Sequence, residues 1–167
     1  VQQRVAVDGR EIRCEPKLCL LVNKPAGMLC TARDPQGRPT FRDLLPPELP
    51  ARVYHVGRLD CDSEGLLIVT NDGDLAHALM HPRHNVEKIY LAWPRRALTP
   101  EEEERLRRGV WSRGEKLILD ELVQAGNTYR VRLREGRNRH IRRMFAAVGV
   151  ELARLKRIAV GPLQLGS

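Results

Sequence analysis

Gly57-Arg58-Leu59-Asp60-Cys61-Asp62-Ser63-Glu64-Gly65 runs directly into the apolar stretch Leu66-Leu67-Ile68-Val69-Thr70, and the reading of the whole chain turns on this junction. A guanidinium and a carboxylate lie two residues apart between two glycines, just before a strand that looks buried. That is where a rigid scaffold can hold a reactive loop. In extended backbone Arg58 and Asp60 project to one side while Leu59 turns toward the core. Taken alone, the loop is more plainly a surface turn in which Asp60 or Asp62 bonds its own backbone. Its chemistry has to be argued from the rest of the chain.

The 167 residues, 42% hydrophobic and 30% charged, suffice for one domain, or for two small lobes sharing a cleft, with a core that needs no staples. The working expectation is one domain over residues 1–167, beginning at Val1 rather than Met, with 1–15 as the link to a separate N-terminal module. No apolar run approaches the ~18 residues of a membrane span, so no membrane partner is expected. Cys14, Cys19, Cys30 and Cys61 form no C-x-x-C pair and no disulfide framework, which suits reduced thiols in the cytoplasm. Cys61 has no histidine marked to activate it and is assigned a packing role.

The net charge of +8 is unevenly distributed. Residues 1–126 hold 19 basic and 19 acidic side chains, whereas 127–167 hold 10 basic and 2 acidic. The C-terminal quarter therefore predicts an anion-binding face. Of the 29 basic residues 24 are arginine, whose planar fork matches phosphate oxygens and stacks on bases. A general compositional bias toward arginine would give the same count.

Working outward, Arg4 to Arg10 alternates and turns at Asp8-Gly9, and Leu18–Val22 is a short strand closed by Asn23-Lys24-Pro25-Ala26-Gly27. Lys24 at that strand's end is either solvated or within reach of a phosphate. Arg33, Arg38 and Arg42 lie in and just after a Pro/Gly loop, with at most two helical turns over Thr40–Leu45. Arg52–Val56 reads as a strand and Asp74–Met80 as a helix stopped by Pro82. His77, His81 and His84 share a helical spacing, but Pro82 breaks it and no carboxylate or cysteine completes a ligand set, so no metal is expected. Val86–Trp93 is a strand, and Thr99-Pro100-Glu101-Glu102 is a capping box opening a helix that stops at Gly109. The four glutamates there are predicted to be solvated.

Lys116–Val123 and Tyr129–Leu133 follow as strands, the second with Tyr129, Val131 and Leu133 on one face and Arg130, Arg132 and Arg134 on the other. Asn138 is the predicted cap of a helix whose Ile141, Met144, Phe145 and Val148 keep core spacing while Arg139, Arg142 and Arg143 fall opposite. Val150–Val160 and a short final strand end the chain.

Four of these pieces, in this order, resemble the RsuA/RluB-type pseudouridine synthases over nearly the whole length. They are Leu20-Leu21-Val22-Asn23-Lys24-Pro25-Ala26-Gly27, the Gly57–Leu67 stretch, Glu87-Lys88-Ile89-Tyr90, and Glu135-Gly136-Arg137-Asn138-Arg139-His140-Ile141-Arg142-Arg143-Met144. A lone G-R-L-D is weak, but four motifs in register are specific. The resemblance implies an α+β fold: a mixed, mostly antiparallel bent sheet with a few flanking helices and a central active-site cleft between two lobes. It implies isomerisation of a uridine in ribosomal RNA by a monomeric enzyme that needs no cofactor and no metal. The bond from ribose C1′ to N1 breaks, the uracil turns, and it is rejoined through C5.

On the matching positions the resemblance makes Asp60 the catalytic group, either attacking C1′ or taking a ribose proton, with Arg142 paired to it. Tyr90 stacks on the uracil and relays the C5 proton, and Ile141 walls the base. Arg58 fills the space the extruded base vacates. Lys24, Arg137, Asn138, Arg139 and Arg143 are left to hold RNA. His140, where many relatives carry glutamine, is assigned neither to RNA nor to packing. Relatives often begin with a separate RNA-binding domain. The Cys30–Thr40 segment is more similar to the large-subunit RluB branch than to the small-subunit branch. Small-subunit or transfer RNA as substrate, and a non-catalytic RNA-binding module, are the rivals.

Overall fold

The computed structural model describes residues 5–12 and 15–166. Val5–Val7 (β1) and Arg10–Ile12 (β2) form the hairpin turned by Asp8-Gly9, both with positive φ. Arg4 and Cys14 lie outside the described residues. Cys19–Lys24 (β3) then enters the main sheet, and a single 3₁₀ turn at Phe41–Leu44 is the short helical stretch expected before Pro46 and Pro47. Tyr54–Val56 (β4) and Glu64–Thr70 (β5) flank the central loop. Gly73–Met80 (α1) starts where the Asp72 carboxylate accepts the Asp74 and Leu75 amides.

Lys88–Pro94 (β6) is followed by Pro100–Arg108 (α2), capped reciprocally by Thr99 and Glu102. Of the four α2 glutamates Glu101 and Glu104 are exposed as predicted, whereas Glu102 and Glu103 are half-buried against partners. Glu102 pairs with Arg96, Glu104 with Arg108, and Glu103 with both Arg107 and the Tyr129 hydroxyl. The predicted strand over Lys116–Val123 is two strands. Glu115–Leu117 (β8) pairs with Val110–Ser112 (β7) in a separate hairpin, and Glu121–Ala125 (β9) pairs with Thr128–Leu133 (β10). Between them the Asp120 amide donates to Arg132 O at 3.0 Å and its carboxylate accepts the Arg134 amide at 2.7 Å, which turns the chain. His140–Ala147 (α3), Leu152–Val160 (β11) and Leu163–Gln164 (β12) complete the α+β fold.

The main sheet runs β3-β5-β11-β6-β10-β9, with β4 on β5 and β12 on β11. Its pairings are antiparallel except at β5/β11, where Gly65 stands beside Arg157 in parallel register. Gly65 has φ 103°, and a Cβ there would lie 2.7 Å from the Arg157 nitrogen and closer still to its carbonyl oxygen. Only glycine tolerates both the dihedral and the approach. One core lies between α2, α3 and the β6–β10–β11 face, with Ile141, Met144, Phe145 and Val148 at 5% exposure or less, as their spacing predicts. A second packs Phe41, Leu59, Leu67 and Val69, and a third packs Leu66, Ile68 and Ala76 on the opposite face of β5. Among the described residues no helix is long and apolar enough to cross a membrane.

Gly65→Ala should cost about 3 kcal/mol or more in urea unfolding, from steric overlap added to a disfavoured φ. Gly149→Ala also has positive φ but nothing within 4 Å of a new Cβ. It should cost only about 1–2 kcal/mol. Equal losses at the two sites would mean that the β5/β11 contact is not the tight one.

Candidate active site

Strand β5 is fed by a loop that alternation divides as the sequence predicts. Leu59 is 6% exposed in the second core, while Arg58 and Asp60 line a cleft of about 950 Å³. Tyr90 reaches the same cleft from β6 and packs against both adjoining cores. Ile141, at 3% exposure, and the exposed Arg137, Asn138 and Arg139 line it from the entry to α3. Six cleft-lining side chains singled out in the sequence thus come together with Asp60. Lys24, Arg142 and Arg143 do not line it.

Arg142 is not paired with Asp60. Its Nε lies 3.2 Å from Asp62 Oδ2, its Nη2 donates to Asp62 O at 2.7 Å, and its Nη1 donates to Leu152 O at 3.1 Å. Arg139 closes on the same carboxylate with both Nη atoms, at 3.1 and 2.7 Å. Asp62 stands two residues after Asp60, inside the turn that precedes β5. Burial alone would raise the Asp62 carboxyl, but the Arg139 hydrogen bonds and the Arg142 and Arg139 charges outweigh it and hold the group below its usual range. Asp60 makes no ion pair among the described residues; the Ser63 amide donates to its carbonyl at 3.0 Å, closing the turn.

Lys24 is fully buried, and its ammonium donates to Pro25 O and Met28 O, each at 2.9 Å, and to Cys61 O at 3.4 Å. It braces the loop from behind and is not free for phosphate. Desolvation lowers its pKa. Cys61 does not pack: its side chain is exposed, and it serves through its carbonyl, which also accepts the Gly27 amide at 2.7 Å. Arg143 is likewise committed, to Glu115 at 2.6 Å and Ser112 O at 2.6 Å, latching the β7–β8 hairpin to α3. Arg137 joins the same Glu115.

Asn138 is not the cap of α3. Arg139 holds that position at φ 49° with no side-chain cap, since a guanidinium has no acceptor to offer the helix amides, and it turns instead to Asp62. His140 packs, at 4% exposure with Nε2 on Ile118 O at 3.1 Å, so the ring pins the 118–120 turn. The rings of His77, His81 and His84 cluster with centroids 4.8–6.0 Å apart. Their contacts are with backbone, Arg83 N to His81 Nδ1 and His84 Nδ1 to Ala78 O.

Sequence reasoning missed Asp62 as the arginine partner, and it missed Lys88 and Arg157 as cleft residues. Asp62 carried a signal, its two-residue offset from Asp60. Arg157 carried only the inward phase of an alternating strand.

The loop before β5 thus presents to a cleft shared with Tyr90 a carboxyl group that has no ion pair among the described residues, at the parallel seam of a mixed sheet. The chain matches the RNA pseudouridylate synthase family over residues 18–147 and belongs to it. It is 39% identical over 174 residues to ribosomal large subunit pseudouridine synthase B of Pseudomonas aeruginosa, covering 98% of this chain and 45% of that protein. An uncharacterized RNA pseudouridine synthase of Aquifex aeolicus is 35% identical, with 97% of this chain and 67% of that protein covered. A crystal structure described as a pseudouridylate synthase superposes with TM-score 0.82 at 29% identity, over 92% of this chain and 66% of that one. The chain spans less than half the length of the Pseudomonas protein and of a Xanthomonas axonopodis relative that it matches at 38% identity.

Lys24→Met keeps the stem but leaves three carbonyls without their donor, and should cost about 2–4 kcal/mol in urea unfolding. Its salt dependence of RNA binding should match wild type; a slope lower by ~0.7 would return Lys24 to the phosphates. Asp62→Asn tests the clamp through pH. The Asp62 carboxyl is depressed in the folded state, so its stabilisation is complete above the ordinary value of ~3.9 and disappears as pH falls through the lower folded-state value. Unfolding measured from pH 7 downward should show wild type more stable than the variant at neutrality, with the gap closing in acid. A gap that persists unchanged would exclude ionised Asp62 as the anchor.

Proposed function

We propose that this chain isomerises a uridine to pseudouridine in large-subunit ribosomal RNA, with Asp60 as the catalytic group. The observation that carries the reading is the meeting of Asp60, Arg58, Tyr90 and Ile141 in one cleft, with Asp60 in no ion pair among the described residues while Asp62 takes Arg139 and Arg142. Large-subunit RNA is favoured by the Pseudomonas and Xanthomonas relatives, both named ribosomal large subunit pseudouridine synthase B, and by the Cys30–Thr40 segment. The protein acts as a monomer in the cytoplasm.

The reaction exchanges one carbon–nitrogen bond for one carbon–carbon bond. The C1′–N1 bond breaks, C1′ bonds to C5, C5 loses its proton, and N1 gains one, so no oxidant or reductant is consumed. An extruded uridine enters the cleft at a cost of a few kcal/mol in lost stacking, and Arg58, exposed at the rim, occupies the gap. The Asp60 carboxyl group, in no ion pair among the described residues, serves either route to cleavage, attack on C1′ or removal of a ribose proton. Tyr90 offers a ring face to the uracil and a phenol to the departing C5 proton, and Ile141 supplies an apolar wall that keeps water from the loosened base. The Asp62 clamp and buried Lys24 hold the loop so that the carboxylate need not reorganise during the reaction.

The test uses ribosomal RNA tritiated at uridine C5. Wild type should release tritium to water, while Asp60→Asn should release none and bind the RNA within a few-fold of wild type. Absence of release by wild type, or substantial release by the variant, would overturn the reading.

A further inference from the structure

The chain has two tryptophans, Trp93 and Trp111, and their rings are differently placed. The Arg154 guanidinium covers Trp93, its central carbon 4.6 Å from the ring centroid. Trp111 is 71% exposed, more than any other large hydrophobic side chain among the described residues, and neither a cation nor a ring of those residues lies over it. A single exposed apolar side chain is ordinary, but Trp111 is not single. It stands opposite Lys116 in the β7/β8 register, so the two share a face, while Val110 and Leu117 turn the other way into the core. A Cβ on Gly109 would lie 3.1 Å from Ile118 Cγ1 and 3.2 Å from Lys116 Cε, which sets those two side chains next to each other. Ile118, 49% exposed, lines the cleft that holds Asp60. Trp111, Lys116 and Ile118 therefore form a row from the hairpin to the cleft wall.

The row is held in place and is positively charged. Glu115, on the inner face of the hairpin, is gripped by Arg137 and Arg143, and His140 Nε2 lies 3.1 Å from Ile118 O. A ligand seated on this face meets side chains that need little ordering. Lys116, and Arg113 in the hairpin turn, are exposed and form no ion pair among the described residues. The acids nearest in the chain are engaged elsewhere, Glu115 as above and Asp120 with Arg134 at 3.7 Å. An open indole bordered by idle cations is the make-up of a stacking platform for single-stranded nucleic acid. One tryptophan and one isoleucine offer far less than the roughly 800 Å² per partner that a stable protein interface covers.

We infer that Trp111 stacks on an unpaired base of the substrate RNA, in a nucleotide flanking the one whose base enters the cleft, with Lys116 and Arg113 against the adjoining phosphates. The inference rests on the reading of the cleft as a site for an extruded RNA base, and adds to it a second base contact outside the cleft. Extrusion strips one stacking face from each neighbour of the target. An indole beside the cleft wall covers such a face, and it does so whatever the base, because every base has a π-face. The two cations hold the backbone without reading sequence. The platform thus favours RNA that is already open around the target over a continuous helix.

The probes are octauridylate and the same ribose–phosphate strand without bases, titrated into the whole chain. Octauridylate should quench the tryptophan fluorescence of wild type, and the quench should be lost in Trp111→Phe although that variant still binds. Trp111→Ala, checked for a wild-type-like thermal transition, should bind octauridylate about fivefold or more weakly than wild type. It should bind the abasic strand as wild type does, and Trp111→Phe should recover most of the lost affinity. Lys116→Gln should lower the salt slope for both strands by ~0.7. Unchanged octauridylate affinity in Trp111→Ala, or equal loss on both strands, would overturn the inference. So would a dimer of the RNA-free chain, seen by analytical ultracentrifugation, that Trp111→Ala dissolves, since the face would then belong to a second copy. Tritium release from ribosomal RNA by wild type, read in parallel, separates the two readings: release with no effect of Trp111→Ala on binding sinks the platform alone, and absence of release sinks the isomerase.

Discussion

The close approach of Gly65 to the backbone of Arg157 is the constraint from which the site follows. It is the parallel seam in a sheet otherwise paired antiparallel, and it joins the β3–β4–β5 side to the β11–β6–β10–β9 side. The loop that delivers Arg58 and Asp60 ends where β5 begins, and Tyr90 lies across β11 in register with Arg157. Bringing two backbones together at one glycine therefore sets the distance between a loop carboxylate and a strand tyrosine, though 30 residues separate them in the chain. A side chain at position 65 would pry the seam open and widen the cleft.

The charges are arranged around that seam with a division of labour. Arginines of the C-terminal quarter reach back to acids placed earlier: Arg130 to Glu121, Arg132 and Arg134 to Glu87, Arg143 to Glu115, and Arg139 with Arg142 to Asp62. The basic excess is thus spent largely within the fold. Individually, the exposed pairs contribute little, at most about 1 kcal/mol each. Their consequence is positional, since Asp62 takes two guanidiniums and the neighbouring Asp60 keeps its carboxylate for the cleft. Lys24 does the same work from the apolar side, where three backbone carbonyls replace the anion it lacks.

What periodicity encodes was legible in the sequence. The alternation of Tyr129–Leu133, the core face of α3, the α2 capping box and the inward turn of Leu59 all follow from local spacing, and each is found in the structure. Motif order was enough to bring Asp60, Tyr90, Arg58 and Ile141 to one cleft. Choice of partner was not legible, because it depends on which of several nearby groups a long side chain meets after the chain has folded. Hence Arg142 found Asp62 and not Asp60, Lys24 found carbonyls and not solvent, and Cys61 contributed its backbone and not its thiol. The break at 118–120 has the same origin. Local propensity carries a strand through it, but β8 and β9 pair with different neighbours, and Asp120 bonds β10 to make the turn.

The central claim is that one loop carboxylate and one strand tyrosine close on the same extruded base. A crystal structure of the chain with a ribosomal RNA fragment carrying 5-fluorouridine at the modified position, where fluorine replaces the hydrogen that must leave C5, examines it most directly. The account predicts the fluorinated base out of its helix, its ribose C1′ facing Asp60 and its ring against Tyr90. A base still stacked in the RNA, or lodged away from both side chains, would contradict it.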